Sequence, residues 1–187
     1  MPGIRVIAGK AKGRKLKMVP GIGTRPIVDR VKQALFNILG SDIVDASFLD
    51  LFAGTGSVGI EALSRGAAFA LLLDLDRKAI QTIHENIAHC GFTESSEVLQ
   101  RDVFAFLKSS PLRSFDMIFI APPQYLELWS KTLKLLDQQH AWINPDGIVI
   151  VQIDPSEYVP QELQMLSLYD QRKYGNTLLL FYEKPGE

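Results

Sequence analysis

A single cysteine, Cys90, leaves 187 residues with no internal disulfide and no set of thiolates for a multi-cysteine zinc site. Burial near a helix end is its expected place. Histidine is also scarce, and His84 and His89 have no companions at metal-ligand spacing, so both read as structural and no metal is expected. No apolar run approaches the ~20 residues that span a bilayer. The basic start has no apolar stretch behind it, so no signal peptide is read. Repeats and low-complexity segments are missing as well. The expectation is a cytoplasmic chain with no membrane partner. Hydrophobic content of 47% and charged content of 22% are ordinary for a globular protein, and the length suits one domain, or one domain with an appendage.

The net charge of −1 conceals a strong asymmetry. Residues 1–32 hold nine Lys/Arg (Arg5, Lys10, Lys12, Arg14, Lys15, Lys17, Arg25, Arg30 and Lys32) against one acid, Asp29, a balance of +8; the rest of the chain carries −9. A basic segment set against an acidic remainder points to a polyanionic partner; a solubilising surface is the plainer alternative. The segment is patterned as structure rather than tail. Ile4-Arg5-Val6-Ile7 and Arg14-Lys15-Leu16-Lys17-Met18-Val19 have strand character, joined by the turn-rich Ala8 to Gly13. Together they predict a basic β-hairpin with Lys10, Lys12, Arg14, Lys15 and Lys17 near its tip and on one face, suited to neutralising backbone phosphates. A helix then follows, with Val31, Ala34, Leu35 and Ile38 on one apolar face and Gly40 at its end. Arg25 and Arg30 precede or begin it and could reach phosphate.

The centre of the chain is the stretch from Phe48 to Glu61. A short apolar run reads as a buried strand, Gly54, Gly56 and Gly59 make a glycine turn, and Ile60 to Arg65 reads as a helix ending at Gly66. Strand, glycine turn and helix start form a nucleotide cradle, with helix N–H groups offered to a ligand. Ala68 to Leu73 predicts a second strand ending at Asp74, placed to accept from ribose hydroxyls; Asp76 reads as a helix cap. The next helix turns Ala79, Ile80, Ile83 and Ile87 inward. A third strand, Glu97 to Gln100, leads to Asp102, which could bond an adenine amino group, cap the following helix, or do both. Phe115 to Ile120 is a fourth strand, running into Ala121-Pro122-Pro123-Gln124-Tyr125, where two prolines forbid a helical start. A helix with Leu126, Trp129 and Leu133 on one face follows. The turn Asn144-Pro145-Asp146-Gly147 opens a fifth strand, Ile148 to Val151. Leu168 to Tyr182 predicts an antiparallel hairpin turning at Gly175-Asn176.

G-x-G-x-x-G alone fits an NAD(P)-dependent oxidoreductase. Three features disfavour one. Asp50, inside the strand, would repel a pyrophosphate but favour the ammonium and sulfonium of S-adenosylmethionine; the Pro-Pro turn has no role in hydride transfer; and a small-molecule dehydrogenase has no use for the basic start.

The run Asp50-Leu51-Phe52-Ala53-Gly54-Thr55-Gly56-Ser57-Val58-Gly59-Ile60-Glu61-Ala62-Leu63-Ser64-Arg65-Gly66-Ala67 resembles the cofactor motif of class I S-adenosylmethionine-dependent methyltransferases. Joined to Arg5-Val6-Ile7-Ala8-Gly9-Lys10-Ala11-Lys12-Gly13-Arg14, Thr24-Arg25-Pro26, Asp29-Arg30-Val31-Lys32 and Ala34-Leu35-Phe36-Asn37, it is similar to the RsmD family, from about Ile4 to Tyr182. That family methylates a guanine exocyclic N2 in small-subunit (16S) ribosomal RNA. The resemblance implies an α/β, Rossmann-like fold: a seven-stranded, mostly parallel sheet with its last strand reversed, plus the basic hairpin. Residues 1–40 would form the RNA-binding extension and 41–187 one compact cofactor-binding unit. It implies S-adenosylmethionine contact at Asp50, Gly54, Gly56, Asp74 and Asp102, with the neighbouring Phe52, Ala53, Thr55, Leu75 and Val103 in the same candidate set. Ribosomal RNA or the small subunit would meet Arg5, Lys10, Lys12, Arg14, Lys15, Lys17, Arg25 and Arg30.

Ala121, Pro122, Pro123, Gln124 and Tyr125 are the candidate catalytic turn, and here the chain departs from the family. Asp or Asn, followed by Pro-Pro-Tyr, is usual; this chain has Ala121, and Gln124 intervenes before Tyr125. In the usual turn a side-chain oxygen and a backbone carbonyl bond the target amine while the ring stacks on the flipped base. Either the Ala121 or Pro122 carbonyl suffices, or Gln124 supplies the acceptor, or the protein binds cofactor and RNA with impaired catalysis.

Overall fold

The computed structural model describes residues 3–21 and 26–186. Chain order is β1 (Ile4–Arg5), β2 (Lys15–Leu16), α1 (Asp29–Leu39), β3 (Ser47–Asp50), α2 (Ser57–Ser64), β4 (Phe69–Asp74), α3 (Arg77–Cys90), β5 (Ser96–Gln100), α4 (Val103–Lys108), β6 (Phe115–Ile120), α5 (Leu128–Gln138), β7 (Ile143–Ile153), β8 (Ser167–Tyr174) and β9 (Thr177–Glu183). The main sheet has seven strands in the order β5-β4-β3-β6-β7-β9-β8. Strands β3 to β7 are mutually parallel, and β9 runs antiparallel to both its neighbours. The expected sheet with one reversed strand is therefore present.

Side chains alternate across the sheet, as the period of a strand requires. Phe48, Ala70, Leu72, Met117, Phe119, Ile150, Leu179 and Phe181 face one side, where they pack with residues of the hairpin, α1, α2 and α3. Leu49, Leu71, Leu73, Ile118, Ile120, Val149, Val151 and Leu180 face the other, against Phe106 of α4 and Trp129, Leu133 and Leu136 of α5. The result is a three-layer sandwich. Helices cross on one face between β3, β4 and β5 and on the opposite face after β5, so the winding reverses between β3 and β6. In open α/β sheets the ligand crevice forms beyond the strand C-termini at such a reversal.

Several elements differ in extent from the sequence reading. The glycine-turn helix starts at Ser57 rather than Ile60, capped by Gly56 in the left-handed region at φ 84. Strand β7 begins at Ile143, because Asn144 to Gly147 form a bulge inside it: Phe115 pairs Ile143, but Met117 pairs Ile148. Leu126 lies outside α5 and is exposed, while Trp129 and Leu133 are buried. The predicted apolar face therefore loses its first member, because the helix begins later, at Leu128. Cys90 is buried at the end of α3. Among the described residues no helix is long and apolar enough to cross a membrane.

The N-terminal hairpin is short but firmly held. Ile4 pairs Leu16, Arg5 pairs Lys15, and two further backbone bonds join Val6 to Arg14 and Gly13. Its connecting turn lies against α2: Lys10 N–H donates to the Ser64 carbonyl at 2.8 Å, and Ala11 N–H to Ser64 Oγ at 2.9 Å. Gly9 makes this approach possible, because a Cβ there would stand 1.8 Å from the Ser64 carbonyl oxygen, and its φ of +85 is costly for any other residue.

Candidate functional site

Asp50 ends β3 in register with Leu72 of β4 and Phe119 of β6. Strand β4 continues two residues to Asp74, and β6 runs through Ile120 to Ala121. Asp50 thus lies at the floor of a notch, with Asp74 rising on one side and the proline turn on the other. Its carboxylate is 1% exposed, and Oδ1 has no hydrogen-bond partner among the described residues. Burial, with the Asp74 carboxylate adding to it, pushes the Asp50 pKa up to about 7; the Phe52 and Gly59 backbone N–H groups pull the other way.

The glycine turn is folded inward rather than offered outward. Gly54 N–H donates to Asp74 Oδ2 at 2.9 Å, Gly56 N–H to the Ala53 carbonyl at 2.8 Å, and Ser57 N–H to Thr55 Oγ1 at 3.2 Å. Of the donors expected here, the Gly54, Gly56 and Ser57 N–H groups are engaged within the chain, so the turn and helix start do not offer all of their N–H groups to a ligand. Gly59 serves packing. A Cβ there would come within 2.8 Å of Leu72 Cδ2, so α2 lies tight on β4. A cradle floored by a buried, partnerless carboxylate oxygen fits a cationic group and does not fit a pyrophosphate.

Asp74 Oδ1 accepts from Asp76 N–H at 2.9 Å, so each oxygen of this half-buried carboxylate already holds one bond and keeps a lone pair. Asp76 caps α3 through Lys78 N–H at 3.0 Å. Asp102 is exposed beyond β5 and caps α4 through Ala105 N–H to Oδ2 at 2.9 Å; Val103 behind it is buried. Leu75, next to Asp74, is 65% exposed, an apolar face at the crevice edge. Ala53 and Thr55 are buried, and Phe52 is half-buried. The structure thus brings the cofactor candidates together along one edge of the sheet.

Behind the cradle lies a polar cluster that the sequence reading missed. Glu61 on α2 is fully buried. Its Oε1 lies 3.3 Å from Lys32 Nζ and accepts from Ile7 N–H at 2.9 Å; its Oε2 accepts from Ala8 N–H at 3.1 Å and Arg65 Nε at 2.8 Å. Lys32, also fully buried, donates to the Arg5 carbonyl at 2.7 Å and to Ser57 Oγ at 2.8 Å. Burial pulls its pKa below the ordinary lysine range, against the opposing Glu61 charge. Lys32 therefore leaves the outward basic count and becomes a tie between hairpin and cradle. Asn86 is a second tie: Oδ1 accepts from Lys17 N–H at 2.8 Å, and Nδ2 donates to the Lys17 and Thr55 carbonyls at 3.1 and 2.9 Å. The one available signal for Lys32 was its place between Val31 and Leu35 on the apolar face of α1.

The other basic candidates divide. Lys10, Lys12 and Lys15 are exposed with no ion pair among the described residues. Arg5 pairs with Asp29 at 3.4 Å, Lys17 with Glu85 at 2.9 Å, and Arg14 donates to the His89 carbonyl at 3.1 Å. Arg30 is exposed, beside Gly175 at the β8–β9 turn. Arg25 lies outside the described residues.

The turn beyond β6 is open to solvent. Ala121 and Pro122 are half-buried, and Pro123 to Glu127 are exposed. Tyr125 and Glu127 hold positive φ values of 64 and 56, a strained choice for non-glycine residues. One side chain pins the turn: Glu157 Oε1 accepts from Tyr125 N–H at 2.7 Å, and its Oε2 accepts from Asp154 N–H at 3.2 Å in a capping box. Asp154-x-x-Glu157 is legible as such a box in the sequence. Ser156 is the main group holding the Asp154 carboxyl below its usual range, with the Tyr125 side chain adding to it. Among the described residues no group of His, Cys, Asp and Glu could hold a metal.

Comparison with known proteins agrees with this geometry. The family described as Conserved hypothetical protein 95 matches residues 4–183. YlbH of Bacillus subtilis (strain 168) is 37% identical over 98% of this chain and 100% of its own. Ribosomal RNA small subunit methyltransferase D of Escherichia coli (strain K12) is 33% identical over 98% of this chain and 91% of its own. The solved structure of Escherichia coli YhhF superposes with a TM-score of 0.88, at 32% identity and 100% coverage of both chains. The chain belongs to this family, the RsmD family of methyltransferases.

Proposed function

We propose that this enzyme transfers the methyl group of S-adenosylmethionine to the exocyclic N2 of a guanine in small-subunit (16S) ribosomal RNA. The observation that carries the reading is Asp50 Oδ1: a buried acceptor without a partner, beneath a glycine turn whose donors face inward. Such a floor binds an amino-acid ammonium and repels a dinucleotide pyrophosphate, so an NAD(P)-dependent oxidoreductase is disfavoured.

Bound in the notch, the cofactor supplies an electrophilic methyl carried by a sulfonium. The chain's own residues do the rest. Asp50 neutralises the ligand's cationic tail, Asp74 accepts from ribose hydroxyls with its remaining lone pairs, and Asp102 and Leu75 meet the adenine. Residues 1–40 form the RNA-binding part, in which Lys10, Lys12 and Lys15 stand free for phosphates. Tyr125, exposed above the turn, stacks on the flipped base while the backbone carbonyls of Ala121 and Pro122 orient its amine.

Incubation with S-adenosylmethionine labelled in its methyl group and hypomethylated small subunits labels 16S RNA at a guanine N2. Calorimetry shows binding of S-adenosylmethionine and none of NAD. Folded, cofactor-binding protein that leaves the RNA unlabelled overturns the reading and favours the impaired, binding-only member that Ala121 brings to mind.

A further inference from the structure

In this chain residue 121 has no side-chain acceptor, and the neighbouring strand supplies a substitute position. The last aligned pair of β6 and β7 is Ile120 with Val151, so the next residues, Ala121 and Gln152, stand side by side. Parallel strands lie ~4.8 Å apart. Both residues belong to the same face of the sheet. Phe119 and Ile150, one step back on that face, pack with α1 and the hairpin; Ala121 packs there too, and Gln152 is paired across β9 with Leu179 of the same cluster. Asp50 shares this face, opposite in parity to Leu49. A line across the sheet thus runs from the cofactor floor, past the bare methyl of Ala121, to the Gln152 amide.

Gln152 Oε1 is buried and has no hydrogen-bond partner among the described residues. A buried amide oxygen left unpaired is costly, and a ligand N–H would relieve that cost. Gln124, the other amide near the turn, is exposed and faces no such demand.

We propose that Gln152 Oε1 accepts a hydrogen bond from the target guanine amine, standing in for the polar side chain missing at 121. This rests on the guanine-N2 reading above. The bond turns the nitrogen lone pair toward the methyl group. As the N–CH3 bond forms and the S–CH3 bond breaks, the sulfonium becomes a neutral thioether and the nitrogen cationic. One nitrogen proton then passes to water; Gln152 orients that N–H and does not take the proton.

Gln152→Leu keeps the size and removes the acceptor. Its expected single-turnover methylation of hypomethylated small subunits falls about 100-fold, with S-adenosylmethionine and RNA dissociation constants unchanged. Adding Ala121→Asp to Gln152→Leu restores at least 10-fold of the lost rate. Without any turnover, the Gln152 side-chain amide resonance, identified by its loss in Gln152→Leu, shifts when guanosine monophosphate and S-adenosylhomocysteine are added together. A Gln152→Leu enzyme as fast as the parent, or an unmoved resonance, overturns the proposal while leaving the guanine-N2 reading intact. A parent that labels no RNA overturns that reading instead. If Gln152→Leu does not fold, Gln152→Met carries the same test.

Discussion

The two walls of the notch are built in opposite ways. The cofactor side is over-determined: the glycine turn is closed by its own bonds, packed onto β4 through Gly59, and tied from behind by Lys32, Glu61 and Asn86 to the N-terminal hairpin. The side proposed to receive the methyl group is a short exposed turn with two residues at positive φ, held by the Glu157 carboxylate on Tyr125 N–H and with Asp154 beside the Tyr125 side chain. A cofactor of fixed shape suits a rigid wall, whereas a base swung out of RNA must enter from solvent. The contrast teaches that the basic hairpin has a structural part to play, whatever its proposed contact with RNA. Its backbone completes the cofactor wall.

Breaking that contrast is most direct at Glu61. Glu61→Gln keeps the shape but strips the counter-charge from a fully buried Lys32 and replaces one of the two oxygens that accept from the Ile7 and Ala8 N–H groups by an NH2, which can only donate. Removing one partner of a buried pair costs about 3–5 kcal/mol. Urea unfolding should show that loss together with weakened S-adenosylmethionine binding. A loss below ~1 kcal/mol would mean that the hairpin and the cradle are independent.

The individual strands, the glycine turn, the two hairpins and the acids at strand ends were legible in the sequence, because period-two alternation and glycine spacing are local signals; the seven-stranded layout was implied by the resemblance to the family. The hub around Glu61 was not. Its partners lie at positions 7, 8, 32 and 65, and only the fold brings them together. Lys32 was counted with the outward cations because charge alone says nothing of burial; its position among Val31, Leu35 and Phe36 was the clue. The inward-facing glycine turn was equally hidden, since the same motif serves phosphate sites when its amides are free. Gln152, one residue past the expected fifth strand, carried no signal of its own, and its unpaired oxygen emerges only beside Ala121.

A smaller effect sharpens the chemistry of the cofactor wall. Burial and the neighbouring Asp74 charge push the Asp50 pKa up to about 7 in the free protein. Its folded-state pKa lies above the unfolded value, so the native state holds the extra proton, and stability of the free protein falls as pH rises from about 4 through 7. Cation binding runs the other way, because the carboxyl must ionise to pair with an ammonium. S-adenosylmethionine affinity should therefore weaken about tenfold per pH unit below 7 and level off above it, read by calorimetry between pH 5.5 and 7.5. Asp50→Asn should bind weakly with no such slope; a steep slope retained in Asp50→Asn would assign the titration to another group.

The smallest effect on stability belongs to the opposite wall, and there the consequence should separate from it. Glu157→Ala removes the acceptor for Tyr125 N–H and for Asp154 N–H at a partly solvated loop, where water replaces it. The expected destabilisation is about 0.5–1.5 kcal/mol, with S-adenosylmethionine affinity unchanged, since no residue of the cradle touches Glu157 among the described hydrogen bonds. Tyr125, however, keeps a φ of 64 only while its surroundings impose it. Released, the turn relaxes toward ordinary backbone values, the ring leaves the position proposed above for stacking, and near-attack geometry is populated less often. Methylation should therefore slow more than tenfold in kcat, while KM for the RNA rises less, because the basic hairpin remains. Equal losses in stability, cofactor affinity and rate would show one rigid site instead of two differently built walls.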